Sequence, residues 1–158
     1  MRTKRNISKK NRKTRRIRGG LSSRDSETKN INNARKTYIV KIFIEILNTV
    51  KLYHWKTRSF SQHKATDELY GNLNENIDKF VETLLGKDES RIKMIEKKIR
   101  LIDNDNLKDF KSRIYEFRKF LINMSTYLNS KRDSDLLNIR DEILGDLNQF
   151  LYLLTFDK

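Results

Sequence analysis

Two histidines, His54 and His63, stand nine positions apart in a chain of 158 residues that has no others. Asp67, Asp78 and Glu82 follow His63 at steps of four, eleven and four residues, and Trp55, the only tryptophan, adjoins His54. Imidazole nitrogens and carboxylate oxygens are the ligands of hard and borderline divalent metals. The chain has no cysteine, so thiolate sites and disulfides are excluded and any metal must bind through nitrogen and oxygen.

The chemistry depends on which face of a helix these residues share. An advance of about 100° per residue from His63 places Asp67 near ~40°, Asp78 near ~60° and Glu82 near ~100°. The apolar residues Leu69, Leu73, Ile77, Phe80 and Leu84 fall between about 240° and 320° on the same wheel, so the acidic face points away from the core. Asp67 and Asp78 are about 16 Å apart along the axis, too far to share one metal within a chain. Two copies packed antiparallel about a twofold axis would set His63 and Asp67 of one against Asp78 and Glu82 of the other, twice over. His54 is then a further nitrogen ligand. The plainer alternative is a solvated face, the usual role of acids four apart on an exposed helix. The gathering of both histidines and the tryptophan beside these acids keeps the metal reading open beside the plainer one.

Four helices would position these residues. Ile39, Ile42, Phe43, Ile46, Val50 and Tyr53 recur at three- and four-residue steps and predict a first helix from Thr37 to about Trp55. Leu69 to Leu84 predicts a second, with Ser61 as its cap and Gly86 as a left-handed terminator. The segment "SRIKMIEKKIRLIDN" predicts a brief helix inside a long connection. A third stripe runs Leu107, Phe110, Ile114, Phe117, Leu121, Met124 and Leu128, and a fourth Leu136, Ile139, Ile143, Leu147, Phe150, Leu151 and Leu154. Nothing alternates like a strand. The expected fold is an all-α four-helix bundle with one long crossover, and Gly71 and Gly145 mark either close helix approaches or tolerated surface positions.

The net charge of +14 is concentrated at one end. Arg2, Lys4, Arg5, Lys9, Lys10, Arg12, Lys13, Arg15, Arg16 and Arg18 lie between Met1 and Gly20 with no acid among them, which leaves +4 for the rest. Residues 1–36 therefore read as a basic disordered tail and 37–158 as the bundle. Such a tail binds nucleic-acid phosphates by counterion release, without sequence preference; "KKNRKTRRIR" fits a nuclear-localisation or solubilising segment equally. No run approaches the roughly 18 apolar residues of a membrane span. The expected location is intracellular, cytoplasmic or nuclear.

His54-Trp55, Phe60, and His63 with Asp67, Asp78 and Glu82 at their spacings resemble the signature of the Dps-type mini-ferritins, of the ferritin-like superfamily. The resemblance implies a ferritin-like bundle in which His54, His63 and Asp67 face Asp78 and Glu82 of an antiparallel twofold mate, with Trp55 beside the metal. It also implies a larger shell, oxidation of Fe(II) by peroxide or dioxygen, and oxidative-stress protection for DNA held by the tail. Carboxylates with imidazole suit iron, and zinc or manganese fit the same ligands. The ending "DLLNIRDEILGDLNQFLYLLTF" is similar to ferritin-like proteins of large DNA viruses, implying host-cell cytoplasm or a virion. The other reading is a non-enzymatic nucleic-acid-packaging or virion structural protein on the same scaffold.

Overall fold

The computed structural model describes residues 31–94, 98 and 101–156. Four α-helices follow in order: α1 (Asn33–Lys56), α2 (Phe60–Gly86), α3 (Leu107–Asn123) and α4 (Ser134–Leu153), with a 3-10 turn at Met124–Thr126. No strand occurs among the described residues. The chain is an all-α bundle, as the stripes require.

Side-chain oxygens start three of the helices. Asn32 accepts the N–H of Arg35, Ser59 that of Gln62 and Asn106 that of Asp109, each satisfying a donor with no partner inside its helix. Two local expectations are corrected here. Ser59, not Ser61, caps α2, because the turn from Thr57 to Ser59 is only three residues long and Phe60 is already helical. Gly86 ends α2 without a positive φ; the left-handed residue is Glu89, at φ 52°. α1 also begins at Asn33, ahead of its apolar stripe, which brings Lys36 and Thr37 into the helix as buried residues. No helix occurs among the described residues of the connection from α2 to α3, and residues 95–97, 99 and 100 of the brief helix expected there lie outside them. The basic run Met1–Gly20 also lies outside the described residues.

Contacts fix the arrangement. α1 packs on α2 and α2 on α4, and α3 lies against both α1 and α4, so the neighbours around the bundle run α1, α2, α4, α3. The long crossover lets α3 run parallel to α2: the start of α3 meets the end of α1, where Tyr53 and Phe110 stack with ring centres 4.0 Å apart. Phe110 also meets Phe150 near the end of α4, edge to face at 5.8 Å. Phe43 packs against Phe80 in the same way at 5.2 Å. Each such fully buried ring contributes about 2–3 kcal/mol from area alone. Arg140 of α4 donates to the carbonyl of Leu121 at 2.9 Å, beside the N–H of Met124 that the same carbonyl accepts, and so ties α4 to the end of α3.

The opposite end is held by charge. Lys36 of α1 pairs with Asp88 just past α2, and Lys87 reaches Asp133 and Asp135 at the start of α4, at 3.4 and 2.9 Å. Hydrogen bonds from Lys36 and Ser90 hold the Asp88 carboxyl below its ordinary range. Burial pushes Asp133 and Asp135 up, yet bonds from Arg132 and the Asn129 N–H to Asp133, and from Lys87 and the Leu136 N–H to Asp135, bring both net below it.

Two predictions result. A Cβ built at Gly71 or Gly145 meets nothing within 4 Å, so neither glycine marks a close helix approach. Gly71→Ala and Gly145→Ala should each stabilise the fold by about 0.5–1 kcal/mol, read as a raised midpoint in urea unfolding. Carboxyls whose folded pKa is depressed add stability above their unfolded pKa of about 3.9 and lose it as pH falls through the lower folded value. Amide exchange on lowering the pH below about 4 should therefore accelerate first at the end of α2 and the start of α4, before the Tyr53–Phe110 end.

Candidate functional site

The expected metal ligands assemble only in part. The three-residue turn folds α2 back on α1, and His54 and His63 stack with ring centres 3.9 Å apart. Each Nδ1 lies 3.1 Å from the other histidine's carbonyl oxygen, and His54 Nδ1 is also 3.2 Å from Thr66 Oγ1. His63 thereby serves a carbonyl in the last turn of α1, a group that the helix leaves without a partner. Asp67 Oδ1 stands 3.9 Å from His54 Nε2 and equally far from Lys51 Nζ. Asp78 and Glu82 are exposed farther along α2, Asp78 about 22 Å along the axis from His63. Among the described residues no three His, Asp or Glu side chains converge on one metal position. The Trp55 ring is 68% exposed and has Lys51 Nζ at 5.7 Å from its centre.

The same end carries more exposed rings. Phe60 opens α2 and is 76% exposed, and Tyr152 and Phe156 meet edge to face at the end of α4. Between Glu45 and Asp67 the chain has no acid but has Lys51, Lys56, Arg58 and Lys64. Lys56 is engaged with Asp103 and Asp105, which raise its pKa.

A reactive group of another kind lies at the far end. Lys36 is 4% exposed, and its Nζ donates to Asp88 Oδ1 at 2.7 Å, Asp88 Oδ2 at 2.6 Å and Ser90 Oγ at 2.8 Å. Those three bonds use all three protons of an ammonium. The left-handed Glu89 turns the chain between its two partners, a conformation costly for a residue with a Cβ. Leu84, Lys87 and Asp133 join Lys36 and Asp88 around a cavity of about 290 Å³. The arrangement sets a buried amine, ion-paired to a carboxylate, beside a cavity.

Sequence reasoning assigned Lys36 to the tail, yet its signal was present. Lys36, Phe43 and Val50 lie at successive steps of seven, so a lysine stands on the buried stripe of α1. Asp88 carried no comparable mark, since its role comes from the turn at Glu89.

Comparisons with known proteins correct the functional expectation. At 29% identity over 136 residues the chain is similar to an N-glycosylase/DNA lyase of Methanococcus maripaludis. The alignment takes in 78% of this chain and 53% of that protein, so the chain spans about half the length of the curated relative it matches. No solved structure matches the chain. The family model that fits is likewise not a ferritin. The resemblance to the mini-ferritins and to viral ferritin-like proteins is thus overturned, and with it iron oxidation, iron-linked stress protection and the virion or packaging scaffold. Short spacings of His, Asp and Glu on one helix occur without that ancestry, and here the acids beyond Asp67 stand apart from the histidines. No described helix is long and apolar enough to cross a membrane. The matching family model runs from residue 54, at the end of α1, to residue 154, with Asp88, Ser90 and Asp133 inside that span and Lys36 ahead of it; the chain belongs to the family of unknown function DUF5856.

Proposed function

We propose that this chain acts on DNA as an imine-forming lyase, of the kind that removes a base or cuts at an abasic sugar. The observation that carries the reading is the buried Lys36 amine held by Asp88 and Ser90 beside a cavity. The similarity to a protein named N-glycosylase/DNA lyase supports it independently.

The chemistry follows from the three bonds. Asp88 is held as an ion by its hydrogen bonds from Lys36 and Ser90, which lower its pKa. One proton leaves Nζ for solvent by way of Asp88, which frees the nitrogen lone pair. That pair attacks C1′ of the sugar; where a base is attached, the glycosidic bond breaks with its electrons going to the base, which takes up a proton. At an abasic site the same nitrogen adds to the ring-opened aldehyde and water leaves. Where a base was displaced, the C1′–O4′ bond then opens with its electrons going to O4′, which takes up a proton; either route so gives an iminium ion, which acidifies the neighbouring C2′–H. Loss of that proton expels the 3′ phosphate and cuts the strand, and water then releases Lys36. Ser90 keeps Nζ oriented throughout.

The rest of the molecule has roles in the same reading. The ten cations of Met1–Gly20 neutralise backbone phosphates, which gives weak, salt-dependent, sequence-independent affinity. The basic run Met1–Gly20 then serves as the DNA-holding tail and the bundle from α1 onward, Lys36 included, as the reacting part, in an intracellular protein that works where DNA is. His54, His63 and Asp67 close the turn between α1 and α2 and take no part in the reaction.

A 5′-labelled oligonucleotide with one abasic site provides the test. The full chain should cut it, faster as pH rises because the reacting amine must be neutral. Lys36→Arg keeps the charge against Asp88 but cannot form an imine, and should cut no faster than a tail-length basic peptide. Asp88→Asn should be slower by about a hundredfold. Equal cutting by wild type and Lys36→Arg, or by wild type and the basic peptide, would contradict the assignment.

A further inference from the structure

We infer that the end of the bundle formed by the α1–α2 turn and the end of α4 is a stacking surface for unpaired nucleic-acid bases. The inference rests on the DNA-acting reading above for its choice of partner, and on the geometry of this end for everything else.

The rings are placed against the hydrophobic preference. Trp55, Phe60, Tyr152 and Phe156 are 68%, 76%, 62% and 67% exposed, although the helices that carry them have a core to face. A ring left in water at four positions around one end of a bundle is unusual for a surface without a partner. The cations are also in place: Arg58 lies in the turn between Trp55 and Phe60, Lys64 one turn into α2, and neither is ion-paired among the described residues. Lys51 lies beside the Trp55 ring. A hollow of about 300 Å³ opens between Ser61, Lys64 and Ala65 on one side and Leu153 and Phe156 on the other.

Flat faces beside phosphate-binding cations are what an unstacked strand requires, and stacking on an aromatic ring is worth about 1–3 kcal/mol per base. A bilayer surface would also accept rings and lysines. It is disfavoured because four of the five large apolar residues exposed at this end are aromatic, Leu101 being the exception, whereas insertion among lipid chains draws on aliphatic side chains as well. A duplex keeps its bases stacked inside and offers the rings little. The partner is therefore single-stranded nucleic acid, or a stretch opened around a lesion. Nineteen helical steps separate Trp55 from Lys36, about 28 Å along α1, so this surface is distinct from the amine site and would hold a strand away from it.

Trp55 is the only tryptophan in the chain, so its emission reports this surface alone. Titration of the full chain with oligo(dT) should quench that emission, while inorganic polyphosphate, which satisfies the tail's charge but has no bases, should leave it unchanged. Phe60→Ala with Arg58→Ala should weaken oligo(dT) binding by about tenfold or more and duplex binding much less. Lys36→Arg should quench like wild type, so a failure of the lyase reading is seen separately. Quenching by polyphosphate equal to that by oligo(dT) would overturn the proposal, since the tail alone would explain it. A blue shift with anionic phosphatidylserine vesicles and none of the expected quenching with oligo(dT) would overturn it in favour of a membrane contact. No response to any probe would overturn it outright.

Discussion

A lysine ammonium on the buried stripe of α1 has to be neutralised and fully hydrogen-bonded, and that requirement shapes one end of the molecule. A charge left alone there would cost several kcal/mol. The chain meets the requirement by ending α2 at Gly86, turning through a left-handed Glu89 and presenting Asp88 and Ser90 to Nζ. The next residues along enter the crossover that carries the chain to the far end and sets α3 parallel to α2. Lys87, beside Asp88, ties the same corner to the start of α4 through Asp133 and Asp135. The geometry of three helix ends depends on one buried amine.

The two ends of the bundle differ in kind. The Lys36 end is a network of charges whose carboxylates are held ionised, beside a hollow that opens to solvent. The other is closed by ring contacts, Tyr53 on Phe110 and Phe110 on Phe150, and by two stacked imidazoles. Its exposed rings are extra to that closure, since the core is complete without them.

The sequence made the helices legible because every apolar stripe had a single period and a core to fill. All seven residues of the fourth stripe are buried, as are Leu69, Leu73, Ile77, Phe80 and Leu84 of the second. Local endings were less legible. Ser59 and Ser61 are both good caps, and only the length of the turn decides between them. Gly86 read as a left-handed terminator, but α2 ends there without a positive φ and the left-handed conformation falls to Glu89. The site was harder still. Histidines and acids on one face gave a metal reading shared between two chains, which one chain does not test; within this chain the fold joins His54, His63 and Asp67 between α1 and α2. Lys36 could have been found as a charge on the core stripe, whereas Asp88 could not, because nothing local says which side chain a turn will aim inward.

The most direct test of the account is to treat the full chain and an abasic oligonucleotide with borohydride, which reduces an imine to a stable amine, and to map the joined peptide by mass spectrometry. The account predicts one adduct, at Lys36. Adducts spread over the lysines of the tail, with Lys36 unmodified, would contradict it.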